Sequence, residues 1–251
     1  LPHSDLNAAR LPIPPRPHIE GVEVSDDLGF VKSRWNAMGQ GNMIKHHKFI
    51  DPLPYGPTII RMGQHVDAMA QGMAMEECWW LSHQTVITAG RSAKKEDLLT
   101  HEHEVIETGR GGHYTIHNPG QRIIYPLIRT ERFQDDVRAY LRALEQWIID
   151  ALNNLGVHGR TIEGRTGVWV GKNGSEEKIA ALGIRVSRRI FLHGLSINVD
   201  NNLGDYEHIV PCGIDDRGVT SLKKLGIPAD MNKLDQALMA CLPDEFLRQI
   251  R

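Results

Sequence analysis

Cys212 stands in the stretch YEHIVPCGI, residues 206–214, after an apolar pair and a proline and immediately before a glycine. A thiol in that setting reads in two ways, as a small buried hydrophobe or as a nucleophile held up at a turn. An ordinary thiol, with a pKa of ~8.5, is only a few per cent thiolate at neutral pH, so the nucleophilic reading needs a partner. Lowering the pKa to ~7 takes about 2 kcal/mol of differential stabilisation, within reach of a close cation or a helix N-terminus. The histidines are candidates for that partner, and so is Lys178, which opens the small and apolar run KIAALGIRV. A lysine partly desolvated at the start of such a strand has a lowered pKa and is suited to exchanging protons. The plainer alternative is a lysine snorkelling from a strand end.

The second chemical signal is GRGGHYTIHNPGQRIIY, residues 109–125. Gly111 and Gly112 permit positive φ and let a ligand approach the main chain, and Arg110 can hold a carbonyl or an anion. A glycine-rich hairpin with a surface arginine is the bland counterpart. The segment lacks the GxGxxG spacing of a dinucleotide site, and GKNGS at residues 171–175 lacks the spacing of a P-loop. The chain has 13 histidines, and His101, His103, His113 and His117 raise the question of a metal. Tyr114, Thr115 and Ile116 favour a strand, on which His113 and His117 lie two pleats apart. No partner at zinc-motif spacing completes either pair, so we expect no metal and no cofactor, with His117 a hydrogen-bonding group beside the loop.

The elements that must position these groups follow from periodicity. Residues 1–57 carry eight of the 13 prolines and read as an extended arm, leaving 58–251 as one domain. From Thr58, the spacing of Ile59, Met62, Val66 and Met69/Ala70 predicts an amphipathic helix. CWWLSHQTVITAG reads as one strand feeding a loop, followed by short strands at VIETG, HYTIH and QRIIYPLI. A long helix follows, with Val137, Tyr140, Leu141, Leu144, Ile148, Ala151, Leu152 and Leu155 on one face, Asp135 and Asp136 near its start and Gly156 after its end. Residues 166–200 read as a meander turning at Asn173-Gly174 and again around Ser187, Arg188 and Arg189. DRGVTSLKKLG, residues 216–226, reads as a helix. So does the segment from Asp230, its N-cap, with a break at Pro243. Strands that cluster without a helix between each pair imply an α/β (α+β) domain on a mixed, largely antiparallel sheet flanked by helices.

Composition narrows the class. The 251 residues, 41% hydrophobic and 24% charged, can bury one substantial core. A net charge of −2 gives no global sign of nucleic-acid binding, and no apolar run approaches the ~20 residues of a membrane span. Cys78, Cys212 and Cys241 are widely separated and form no CxxC pair, which fits a reducing, cytoplasmic setting.

Taken together, three ordered blocks resemble the lipoyl(octanoyl) transferases, a family of the biotin/lipoate protein ligase-like fold. The first is Arg110-Gly111-Gly112 with Thr115, His117, Gly120, Gln121 and Tyr125. The second is Thr166-Gly167-Val168-Trp169-Val170, Lys178-Ile179-Ala180, Leu182-Gly183, His193-Gly194-Leu195 and Asn198, and the third is Pro211-Cys212-Gly213. Ile116 stands where the family usually has an aromatic residue and Asn118 where glycine is frequent. The resemblance implies octanoyl transfer from acyl carrier protein to a lysine of lipoyl domains, those of 2-oxoacid dehydrogenases and the glycine cleavage H protein. Cys212 is then the acyl-thioester nucleophile and Lys178 its proton shuttle. The implied substrate contacts are Arg110, Gly111, Gly112, His113, Tyr114, Thr115, Ile116, His117, Ala181, Leu182, Gly183, Gly194, Leu195 and Ser196, among which Leu182, Leu195, Gly112, Gly183 and Gly194 make an apolar channel for an eight-carbon chain. Arg129, Arg185, Arg188 and Arg189 are candidates for a basic docking surface. An ATP-dependent ligase of the same fold, which needs no cysteine, is the rival reading, and a non-catalytic acyl-binding module is another.

Overall fold

The computed structural model describes residues 21–25, 31–35, 44–100, 103–172, 174–210, 218–228 and 230–247. Asn173 and residues 211–217, Cys212 among them, lie outside the described residues. The chain order is β1 (Gly21–Ser25), β2 (Val31–Trp35), β3 (Lys45–Phe49), α1 (Tyr55–Ala70), β4 (Glu77–Leu81), β5 (Val86–Ala89), β6 (Val105–Glu107), β7 (Tyr114–His117) and β8 (Gln121–Arg129). Then come α2 (Val137–Asn154), β9 (Gly159–Ile162), β10 (Arg165–Val170), β11 (Glu177–Ser187), β12 (Ile190–Asn198), α3 (Met231–Ala240) and α4 (Asp244–Leu247).

Among the described residues, nine strands form one sheet in the order β1-β2-β3-β4-β8-β12-β11-β10-β9, and β6-β5-β7 form a second. The large sheet is antiparallel except where β3 runs parallel to β4, so the mixed, largely antiparallel sheet expected from the sequence is what forms. Its central strands are buried on both faces, and the alternation of side chains sorts them. Cys78, Trp80, Ile124 and Ile128 join α2 and α3 in one core, which also holds Tyr140, Leu144, Trp147, Leu234 and Leu238. Trp79, Leu81, Ile123, Tyr125 and Leu127 join Met62, Val66 and Met69 of α1 in another. The small sheet has its own cluster of Ile87, Tyr114, Ile116, Tyr206 and Ile209.

The helices follow their local signals. Asp136 caps α2, accepting from the N–H groups of Arg138 and Ala139, and Asp230 caps α3 through the Lys233 N–H. α1 starts at Tyr55, three residues before the expected Thr58, because Pro57 falls in the first turn, where a missing N–H costs nothing. The four-strand meander β9 to β12 turns through Arg188 and Arg189, both at positive φ (51° and 59°) as a tight hairpin turn requires.

Two expectations fail. CWWLSHQTVITAG is two strands in different sheets, because the Leu53 N–H donates to the Ser82 carbonyl at 2.8 Å and Leu53 bridges His83, steering the chain out of the large sheet. The described part of DRGVTSLKKLG is not a helix. Its β-branched Val219 forms a parallel bridge with Lys178, and residues 222–226 are turns.

Candidate active site

A cleft of about 470 Å³, counted to its open mouth, lies between the large sheet, β7 and the start of α1, a size ordinary for a small-ligand site. Twelve of the fourteen residues expected to contact substrate line it: Arg110, Gly112, His113, Tyr114, Thr115, His117, Ala181, Leu182, Gly183, Gly194, Leu195 and Ser196. Gly111 is not on the wall. Its N–H donates to the Ile184 carbonyl at 2.8 Å and docks the glycine loop on β11. Ile116 is fully buried, paired with Ile87 in the small-sheet core, because alternation along β7 turns it away from Thr115 and His117.

Two further aromatic side chains and a histidine complete the wall: Tyr55, Tyr125 and His193. The cleft is therefore less uniformly apolar than the sequence suggests. Arg110 is buried, and its Nη2 donates to both the carbonyl and the hydroxyl of Thr88 at 2.8 Å, while Nη1 donates to the Gly111 carbonyl at 3.0 Å. Gly183 faces this arginine. A Cβ there would sit 3.1 Å from Arg110 Cδ and 3.3 Å from the Gly111 carbonyl oxygen, which explains the glycine.

Three buried histidines meet at the cleft or just behind it. His83 donates Nδ1–H to the Leu53 carbonyl at 2.9 Å, so its Nε2 accepts from the Tyr125 hydroxyl, also at 2.9 Å. Gln121 donates its amide to Asn198 Oδ1 at 3.0 Å, so its oxygen accepts from His117 Nδ1–H at 2.7 Å, leaving Nε2 of His117 unprotonated. His117 stacks on Tyr55 at 5.9 Å. Burial, as the largest cause, pushes His83 to about 4, His117 to about 3 and His193 to about 4. All three are neutral at physiological pH.

Lys178 is buried. Its Nζ donates to the Thr166 carbonyl at 3.0 Å and lies 4.7 Å from the Trp169 ring centroid. A smaller cavity beside it is walled by Thr115, Lys178, Ala180, Ala181, Asn198, Tyr206 and Val219, and it shares Thr115 and Ala181 with the main cleft. The Lys178 N–H donates to the Gly218 carbonyl and the Thr220 N–H to the Lys178 carbonyl, each at 2.9 Å. Asn198 Nδ2 reaches the Thr220 carbonyl at 3.0 Å. A chain of buried amides thus joins His117 in the cleft to the segment paired with Lys178.

Sequence reasoning missed Tyr55, His83, Thr88, Tyr206 and Val219. Tyr55 is hidden in a proline-rich stretch, and a lone aromatic between prolines is its only signal. Among the arginines considered for docking, Arg188 pairs with Asp67 and Arg189 with Asp135, while Arg129 donates to the Met69 carbonyl at 3.1 Å. Arg185 is exposed, with its guanidinium beside Gly109. Among the described residues, no three His, Cys, Asp or Glu side chains converge as metal ligands would, and no helix is long and apolar enough to cross a membrane.

Residues 64–242 match the family of the lipoyl protein ligase A/B catalytic domain. The chain is 46% identical over 203 residues to an octanoyltransferase of Cereibacter sphaeroides, covering 77% of this chain and 93% of that one. It is 43% identical over 223 residues to an octanoyltransferase of Bartonella henselae, covering 84% and 91%. A bipartite lipoate protein ligase from Thermoplasma acidophilum shares the fold, with a TM-score of 0.58 at 13% identity over 76% of this chain and 81% of that one. With the lysine strand, the glycine loop and the cleft between them all in place, the chain belongs to the lipoyl protein ligase A/B catalytic domain family and, within it, to the octanoyltransferases.

Proposed function

We propose that this octanoyltransferase moves an octanoyl or lipoyl group from acyl carrier protein to a lysine of a lipoyl domain, in the cytoplasm, through a thioester on Cys212. Lys178 takes the Cys212 proton, and the thiolate attacks the carbonyl of the carrier-bound thioester. As the tetrahedral intermediate collapses, the bond to the carrier sulfur breaks and Lys178 returns the proton to that sulfur. The amine of the acceptor lysine then attacks the acyl-cysteine, gives up a proton to Lys178 and leaves as an amide, regenerating the cysteine thiolate.

The observation that carries this reading is the pairing of Lys178 with Gly218 and Thr220. Cys212 is six residues before Gly218 and two after Val210, whose N–H donates to the Asp97 carbonyl at 2.8 Å. Of the two roots of the segment bearing the cysteine, one is thereby paired with the proposed proton shuttle itself and the other with Asp97, whose carboxylate lies 3.7 Å from His113 of the cleft. The cleft adjoining Lys178 offers Leu182, Leu195 and three glycines to an acyl chain, whose desolvation contributes about 0.8 kcal/mol per CH₂.

Incubation with octanoyl-carrier and an unmodified lipoyl domain, without ATP, tests the reaction class. Octanoylated domain appears if a thioester is the donor. A product that forms only from free acid and ATP assigns the chain to adenylate chemistry instead.

A further inference from the structure

In the paired strands β8 and β12, the ladder is continuous at Ile190 and Phe191 and again from Leu195 to Asn198, and is interrupted between them. Opposite the gap stands Pro126, which has no N–H to donate. At this gap His193 takes φ 60°, in the left-handed region that side chains other than glycine rarely adopt. The other described non-glycine residues with such backbone, Gln134, Asp135, Arg188 and Arg189, sit in exposed turns, whereas His193 is buried in mid-strand. Gly194 beside it tolerates no side chain, since a Cβ would lie 2.1 Å from the Ile124 carbonyl oxygen and 2.8 Å from Pro126 Cδ. A break this costly, held by the surrounding strands and opening on a cleft, is the kind of local strain that marks a functional position.

The break has a definite place along the cleft. Ala181 pairs with Ser196, Gly183 with Gly194 and Ile184 with His193, so the lining runs down one ladder from Ala181 to His193. That distance is three residues of strand, about 10 Å at ~3.3 Å per residue, close to the length of an extended eight-carbon chain. Lys178 adjoins the Ala181 end through the smaller cavity. His193 stands at the other.

We propose that His193, turned into the cleft by the ladder break opposite Pro126, is the stop that limits acyl-chain length in this enzyme. The inference rests on the acyl-transfer reading above. An acyl chain entering from the lysine end runs over the paired Gly183 and Gly194, beside the Arg110 side chain, and its terminal carbons meet the imidazole, backed edge-on by Tyr125 at 6.2 Å. Because burial keeps that ring neutral, an apolar chain end can rest against it without an unpaired charge.

The test compares kcat/KM for hexanoyl-, octanoyl-, decanoyl- and dodecanoyl-carrier thioesters in the wild-type enzyme, His193→Gly and His193→Asn. Both replacements accept left-handed backbone, so the asparagine variant carries the test if the glycine variant does not fold. Each additional CH₂ that finds room is worth about fourfold, so with two more CH₂ groups the decanoyl-to-octanoyl ratio is expected to rise about 15-fold over wild type. A wild type that transfers octanoyl while a folded variant keeps the wild-type chain-length profile overturns the stop alone. A wild type that transfers none of the four thioesters overturns the acyl-transfer reading and the stop with it.

Discussion

Lys178 and Val219 lie side by side in a parallel bridge, with backbone hydrogen bonds from Lys178 to Gly218 and from Thr220 to Lys178. The lysine proposed to move protons and the chain just past the proposed nucleophile are therefore one structural unit. Replacing the side chain leaves those backbone bonds intact. Lys178→Arg keeps a cation beside Trp169 but supplies a group that does not deprotonate in this pH range. We expect it to fold with a near-wild-type melting temperature and to lose about 10²- to 10⁴-fold in kcat, in line with the loss of a general acid–base. Single-turnover transfer and a thermal melt check both halves; wild-type turnover in Lys178→Arg would remove the lysine from the chemistry.

The amide chain from His117 through Gln121 and Asn198 to Thr220 couples the cleft to the same segment. Gln121→Leu strands His117 Nδ1–H in a buried setting, at a cost of about 1–3 kcal/mol, while Asn198 Oδ1 still accepts from Asn201 Nδ2 at 3.2 Å and the Tyr206 hydroxyl at 3.3 Å. Its unfolding midpoint in urea should fall accordingly. Gln121→Glu keeps the acceptor for His117 but loses the donor to Asn198, and the expected loss is smaller than for leucine. Equal midpoints for the two variants would contradict the relay.

Stability should also fall in mild acid. In the unfolded chain His83, His117 and His193 titrate near 6.5, whereas burial holds them at about 4, 3 and 4 in the folded protein. As the pH drops below 6.5, protons bind the unfolded chain and not the folded one. Stability is therefore fully present above about pH 6.5 and declines towards pH 4, by up to a few kcal/mol for a single such group. Urea unfolding at a series of pH values tests this, and His83→Gln should flatten the decline. A free energy rising on going from pH 7 to 5 would contradict it.

On the opposite face, Asp235 of α3 is fully buried and accepts from Arg122 Nε at 2.8 Å and Nη2 at 3.0 Å, with Lys48 Nζ at 2.7 Å. Removing the carboxylate strands a buried guanidinium. Asp235→Ala is expected to cost about 3–5 kcal/mol, read from denaturant midpoints, whereas Lys48→Met should cost less because Asp235 keeps both hydrogen bonds from Arg122.

Much of this arrangement is legible in the sequence, for identifiable reasons. The helix faced by Tyr140, Leu144 and Ile148 is an uninterrupted 3.6-residue pattern, and the meander is marked by its turn residues. The glycine loop and the lysine strand each carry a local signature, and the structure brings both to one cleft. What escaped depends on contacts between distant segments. Val219 and Thr220 look helical beside SLKKLG, and only a partner 41 residues away at Lys178 makes them a strand-like bridge. Ile116 follows Thr115 in a motif but points into the other core, because a strand alternates where a motif does not. His83 breaks an apolar run that local pattern cannot divide between two sheets. His193 gives no local hint of left-handed backbone, since its cause, Pro126, lies on the neighbouring strand.

The central claim is that Cys212 carries the acyl group. Intact mass measurement of the protein after incubation with octanoyl-carrier, with neither ATP nor acceptor present, tests it most directly. One octanoyl adduct is expected, which hydroxylamine removes and Cys212→Ser abolishes, with Cys78→Ala and Cys241→Ala unaffected. An adduct that persists in Cys212→Ser, or a wild-type protein that transfers octanoyl to a lipoyl domain at full rate while never acquiring one, would contradict it.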